Sequence, residues 1–192
     1  ANLGAAYKTA GAIEEAIKMN NNAILLMEDL RRKGRLSNER DLVTTYLNMG
    51  LALRTSQRHA ESIEAYGKAI RISEELSEAG RLDRPHDLAT AYINRAMTYT
   101  QMNQYPLALV DANRAVHLYS HMINQQLPDV NHHLVIQAFY MTAAYAKALY
   151  SLEQYMNDLR RCHVALKRHV MHQHLGQRTR YMLQEAERII QS

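Results

Sequence analysis

"GRLSNERDLVTTYLNMGLAL", Gly34 to Leu53, reads onto "GRLDRPHDLATAYINRAMTY", Gly80 to Tyr99, at a shift of 46 residues. Gly34 falls on Gly80, Leu36 on Leu82, Asp41 and Leu42 on Asp87 and Leu88, Tyr46 on Tyr92 and Asn48 on Asn94. The same shift carries "QRHAESIEAYGKAI" (57–70) onto "NQYPLALVDANRAV" (103–116). An internal period of this size marks a repeat architecture. Applied backwards, it sets Asn2 on Asn48, Gly4 on Gly50, Ala16 on Ser62 and Ala23 on Ala69. A forward shift of 50 aligns "EQYMNDLRRCHVAL" (153–166) with 103–116, with fewer matches. The expected organisation is a truncated repeat over 1–37, repeats over 38–83 and 84–129, a divergent repeat over 130–175, and a closing helix over 176–192.

Apolar residues inside each unit follow helical spacing, as in Ile63, Tyr66, Ile70 and in Leu109, Ala112, Val116. Each unit holds a first stripe and a longer second one around a polar turn such as Thr55 to His59, which is a helical hairpin. Gly34 and Gly80 are placed to end the second helices in left-handed caps, with Arg31, Arg32 and Lys33 near the negative end of a helix dipole. Asp41 and Asp87 are the expected N-caps of the first helices. Pro85, Pro106 and Pro128 all fall between periodic segments. The fold class is therefore all-α.

At 192 residues the length favours one domain with a sizeable core. A single cysteine, Cys162, excludes an internal disulfide framework and suits a reducing compartment. No apolar run approaches the ~20 residues that cross a bilayer, and no signal-peptide pattern opens the chain. The expectation is a soluble, cytoplasmic protein. Net charge is +4, yet residues 160–192 hold seven basic side chains against two acidic ones, so the excess is a C-terminal property. The chain opens on Ala1 without an N-terminal cap. It is accordingly expected to be a fragment of a larger protein, its first helix continued upstream, covered by a partner, or self-associating through the uncapped end.

Gly50, Leu53, Ser62, Tyr66 and Ala69, with their counterparts Ala96, Tyr99, Ala108, Ala112 and Ala115, resemble the tetratricopeptide repeat signature. "LGAAYKTAGAIEEAI" (Leu3 to Ile17) carries it too, with Gly4, Tyr7 and Ala16 in register. Small residues let paired helices approach near the lower end of the 8–10 Å packing range, and a neighbouring aromatic fills the space. The resemblance implies a right-handed α-α superhelical solenoid with a concave face. It departs from the family where the usual tryptophan is Tyr46, Tyr92 and Thr142, and where Asp158 and Cys162 take positions normally small or aromatic. The repeat-ending proline is absent, and units this long look like those of kinesin light chain. Gln177 to Ile190 fits a closing helix with Met182, Ala186 and Ile189 or Ile190 inward, and with Arg178, Arg180, Glu185, Glu187 and Arg188 outward.

The resemblance also implies a function. Asn2, Asn48 and Asn94 stand two residues before the close-packing small residue, where similar proteins line their groove with asparagines that grip the backbone of an extended peptide. An amide both donates and accepts, so it can hold a peptide unit of any sequence. Helices about 8–10 Å apart would meet a strand rising ~3.3 Å per residue at about every third residue. At ~0.5–1.5 kcal/mol net per hydrogen bond, the amides fall short of the ~8 kcal/mol of micromolar binding. Flanking side chains must add the rest. These are Thr44, Leu47, Leu51 and Arg54, then Thr90, Ile93, Met97 and Gln101, then Tyr140, Lys147 and Tyr150, with Lys8 in the truncated unit. They describe an apolar groove edged with positive charge.

Other classes find less support. His117 and His121, and His169 and His172, can share helix faces but lack a cysteine pair or carboxylate at ligand spacing, so no metal is assigned. Cys162 and His163 are adjacent on a helix and point apart, and neither a phosphate loop nor an HExxH pattern occurs, so neither cofactor nor catalysis is expected. Arg160, Arg161, Lys167, Arg168, Arg178 and Arg180 could meet nucleic acid, but sparse aromatics favour a solvated face. The expected function is a protein-interaction scaffold. A ligand-sensing regulatory domain of a larger protein is the alternative.

Overall fold

Five left-handed residues stand at equal intervals among the described residues. The computed structural model describes residues 3–82, 84–127, 130–149, 152–170 and 175–191, with residues 3–10, 152 and 168–170 as backbone only. Positive φ occurs at Gly34 (65°), Gln57 (62°), Gly80 (67°), Asn103 (57°) and Gln126 (53°), each 23 positions after the one before. The next residue's amide then reaches back five places. Arg35 donates to the Leu30 carbonyl, Arg58 to Leu53, Arg81 to Leu76, Gln104 to Tyr99 and Leu127 to Met122, at 2.7 to 3.0 Å. Each left-handed residue itself donates three places back, completing a Schellman closure that satisfies the helix-end carbonyls. The 46-residue repeat is thus two helices, each with the same stop.

The described residues form eight helices and no strand: α1 (Leu3–Arg32), α2 (Glu39–Thr55), α3 (His59–Glu78), α4 (Pro85–Gln101), α5 (Tyr105–Asn124), α6 (His132–Ala148), α7 (Leu152–Val170) and α8 (Gln177–Gln191). α2, α4 and α6 each have 17 residues, and α3 and α5 each have 20. α1 is one continuous helix where a repeat truncated over 1–37 would still hold a turn between two helices. Gly11 stands one interval before Gly34, yet the helix runs through it. Alanines at 5, 6, 10, 12 and 16 are the strongest helix formers, and one interior glycine costs only ~1 kcal/mol. The N-caps also differ. Asn38 accepts from the Arg40 amide at the head of α2, and Asn131 accepts from Leu134 at the head of α6, whereas Arg84 precedes α4. Asp41 and Asp87 lie inside the first turns, where a carboxylate still favours the positive end of the dipole.

The chain divides into two compact units, Ala1–Asp83 and Arg84–Ser192. In the first, α1 packs on α2 and α2 on α3. A Cβ added to Gly50 would stand 2.6 Å from the ring of Tyr66, so the bare backbone of α2 is what lets the ring lie against it. The Ser62 hydroxyl donates to the Gly50 carbonyl at 2.8 Å, fixing α3 at the same place. Tyr46 donates its hydroxyl to Glu28 of α1 at 2.8 Å. Burial first, and then this carboxylate, raises its pKa well above that of a free phenol.

In the second unit α4 packs on α5, α5 on α6 and α7, and α6 on α7 and α8. The helix starts set the third hairpin's first helix 47 residues after α4, so Phe139, fully buried, takes the place of Tyr92. Thr142, which the shift of 50 put there, is a buried residue one turn further on. Met182 and Ala186 of α8 face inward as expected, and Arg178, Arg180 and Arg188 face solvent. Glu187 is the exception to the outward set: it turns to α7 and meets the His163 ring at 2.7 Å.

Where the first unit has Met49 and Ala65, the second has Arg95 and Asp111, joined by two hydrogen bonds of 2.7 and 2.8 Å. The Asp111 side chain is 5% exposed and that of Arg95 21%. The guanidinium also lies over the Tyr92 and Tyr99 rings, with centroids at 5.7 and 5.9 Å. Removing one partner of a buried pair leaves a desolvated charge, whereas replacing both with apolar residues is often neutral. Asp111→Ala should therefore cost about 3 kcal/mol in chemical denaturation. Arg95→Met with Asp111→Ala, which copies the Met49 and Ala65 solution, should recover most of that loss. Additive destabilisation would refute the coupling.

Candidate ligand-binding face

The stripe of α2 running Thr44, Asn48, Leu51 and Thr55 is exposed along its length, with Leu51 at 47%. These residues recur at i, i+4, i+7 and i+11, opposite the buried Leu42, Val43, Tyr46, Met49 and Leu53. Leu47 and Arg54 flank the stripe, half-buried. Arg54 lies beside Tyr66, whose phenol is pushed up by burial and pulled back by the Arg54 charge.

On α4 the corresponding positions are Thr90, Asn94 and Met97, half-buried, and Gln101, exposed. Ile93 corrects the expected set: at 0% exposure its side chain belongs to the core and offers a ligand nothing. On α6 the register gives Gln137, Met141, Ala144 and Ala148. Met141 takes the asparagine position and is buried, so the amide series ends at α4. Tyr140 is half-buried and Lys147 exposed. Lys8 lies on α1 where only the backbone is described, and Asn2 and Tyr150 lie outside the described residues. Neither the Asn48 nor the Asn94 amide has a side-chain hydrogen-bond partner among the described residues. A helix-end capping role for these amides therefore has no acceptor or donor there.

Three hydrogen-bonded contacts of the second unit were not foreseen. Thr100 and Tyr145 share a 3.0 Å hydrogen bond between α4 and α6, and the Tyr145 ring tilts against Tyr105 with centroids 5.5 Å apart. His117 of α5 meets Asp158 of α7 at 2.7 Å. His133 meets Thr179 of α8 at 3.0 Å. A shift of 47 would have signalled the second contact, because it places Asp158 on Asp111 and shows an acid recurring at that face. His117 thus has a carboxylate partner, while the side chains of His169 and His172 lie outside the described set. Among the described residues no group of three His, Cys, Asp or Glu is placed to hold a metal. No described helix is long and apolar enough to cross a membrane.

A polar cavity of about 160 Å³ opens at the head of α2, lined by Leu36, Ser37, Asn38, Glu39, Arg40, Leu76 and Arg81. Glu39 bridges Arg31 and Arg81, and Arg31 also holds Glu75. The charges there close a network among α1, α2 and α3.

Residues 41–120, the span of α2 to α5, match the family model for the tetratricopeptide repeat. No curated protein and no solved structure matches the chain. The family match and the eight helices together support the tetratricopeptide reading and give the fold class, an all-α helical-repeat solenoid. Stacked repeats of this class present extended surfaces to protein partners.

Cys162 is fully buried near Ser120 of α5, and burial pushes its thiol up to about 12. His163 turns the other way, stacked on Phe139 at 6.0 Å. Burial thus keeps the reactive thiolate form scarce near neutral pH. Native protein should therefore leave Ellman's reagent uncoloured for hours and release one equivalent of thiolate in 6 M guanidinium. Rapid labelling of the native form would contradict the buried placement.

Proposed function

We propose that the chain is a protein-interaction scaffold whose open stripes, that of α2 in the first unit and those of α4 and α6 in the second, each take an extended peptide segment, gripped through the Asn48 amide on the one and the Asn94 amide on the other. The observation that carries this reading is the state of Asn48: an exposed amide without a side-chain partner among the described residues, on a helix inside the tetratricopeptide match. Burying polar atoms in a ligand interface is unfavourable unless they are paired, and a peptide backbone supplies a donor and an acceptor at every residue. Asn94 occupies the same repeat position on α4. Leu47 and Leu51 on α2, Met97 and Gln101 on α4, and Tyr140 and Lys147 on α6 would contact ligand side chains, with Arg54, Lys8 and Asn2 extending the face. The length of the hairpins supports a repeat of the kinesin light chain type. A lone buried cysteine suits a reducing compartment, and the cytoplasm is the proposed location.

The test is a selection of 12-residue peptides from a display library on the intact protein, followed by fluorescence anisotropy of the best binder. Asn48→Ala with Asn94→Ala removes two to three hydrogen bonds, about 2–3 kcal/mol at ~1 kcal/mol net each. Affinity should fall by about 30- to 100-fold, with thermal unfolding unchanged because neither amide has a side-chain partner among the described residues. Equal affinity in the double variant would remove the asparagines from the binding face.

A further inference from the structure

The outer face of the α7–α8 pair has a pattern that neither the repeat packing nor the proposed peptide face uses. Val164, 54% exposed, stands at the centre of the solvent side of α7. Arg160 and Arg161 lie one turn before it and Lys167 one turn after, all exposed. Tyr181, 58% exposed, stands likewise on α8, with Arg178 one turn before and Arg188 two turns after. Both helices pack on α6, and His163 and Lys167 of α7 both approach Glu187 of α8, at 2.7 and 3.7 Å. The two basic clusters therefore lie on the solvent sides of one joined helix pair.

Some arginines of the chain are paired, Arg188 with Glu185 among them, and others, such as Arg35, Arg71 and Arg114, have no ion pair among the described residues; three of the unpaired ones gather on this face. Arg31, Arg32, Arg58, Arg81, Arg84 and Arg95 all hold carboxylates. Arg160, Arg161 and Arg178 have no ion pair among the described residues. Within residues 160–192 the excess of basic over acidic side chains is +5, in a chain whose total is +4. Uncompensated like charge raises the free energy of the folded state. Setting a large apolar side chain at the centre of each cluster adds exposed hydrocarbon, a combination that fits a ligand carrying both negative charge and apolar groups.

We infer that the α7–α8 outer face is a second docking surface, for an acidic protein segment in which aliphatic residues alternate with carboxylates. The aliphatic groups cover Val164 and Tyr181, and the carboxylates accept from Arg160, Arg161 and Arg178. A protein segment is favoured over nucleic acid because one exposed aromatic on the face gives no stacking platform for successive bases. This surface is independent of the asparagine face on α2 and α4.

The probe is a fluorescein-labelled 12-residue peptide with six glutamates and two leucines, compared with its glutamine counterpart and with a 15-residue oligothymidylate, by anisotropy on the full chain. The acidic peptide should bind saturably, weaken at least tenfold between 50 and 300 mM NaCl, and outcompete both controls. Arg160→Ser, Arg161→Ser and Arg178→Ser together should weaken it at least tenfold, and Val164→Ser with Tyr181→Ser several-fold, with far-UV circular dichroism unchanged. Asn48→Ala with Asn94→Ala should leave this binding intact, which separates failure here from failure at the other face. No saturable binding of the acidic peptide, tighter binding of the oligonucleotide, or an affinity untouched by the arginine variant would each overturn the inference.

Discussion

Every feature of this protein depends on where its helices are made to stop. The left-handed residue and the five-residue reach-back that follow α1 to α5 are a backbone device. They recur every 23 residues whether the residue is Gly34, Gln57, Gly80, Asn103 or Gln126. Glycine reaches that conformation without a steric penalty. Glutamine and asparagine adopt it against a cost of roughly 1 kcal/mol, offset by the carbonyls the closure satisfies. Equal stops give helices of matched length, and matched helices present their faces in the same register from one hairpin to the next.

Close approach supplies the second constraint. In the first unit the contact is asymmetric, a bare Gly50 under a Tyr66 ring, with Ser62 tying the backbone. In the second, Ala96, Ala108 and Ala112 are small on both helices and fully buried. There Arg95 and Asp111 fill positions held earlier by Met49 and Ala65, under the flat faces of Tyr92 and Tyr99. One backbone arrangement thus tolerates an apolar and an ionic filling. Both leave the opposite stripe of α2 and α4 open, which is why interaction residues can vary along these helices without disturbing the hairpin.

The polar chemistry of the molecule is distributed by the same logic. Three histidines of the second unit serve between helices: His117, one of the metal candidates, reaches Asp158, His163 sits between Phe139 and Glu187, and His133 meets Thr179. In each case a ring nitrogen joins a side chain from another helix. The C-terminal arginines stay out of that network and keep their charge on the surface.

The 46-residue period, the helical spacing within it and the small residues at Gly50, Ser62, Ala96 and Ala108 were enough to define the fold class, because periodicity and steric size are properties of the chain itself. So was the burial of Cys162, through its place in the repeat. The 23-residue stop could have been read from Leu30, Leu53 and Leu76 with Arg35, Arg58 and Arg81, all at that interval. Tertiary packing decided the rest. It placed Ile93 in the core although it occupies the register of the half-buried Leu47, set Phe139 rather than Thr142 in the aromatic position, and turned Glu187 inward to His163. It also carried α1 straight through Gly11, where the series of stops would have placed another turn. A helix face fixes which residues share a side, but which side meets solvent depends on neighbours distant in sequence. Two registers one turn apart can bury equally apolar stripes, and only the packed partners choose between them.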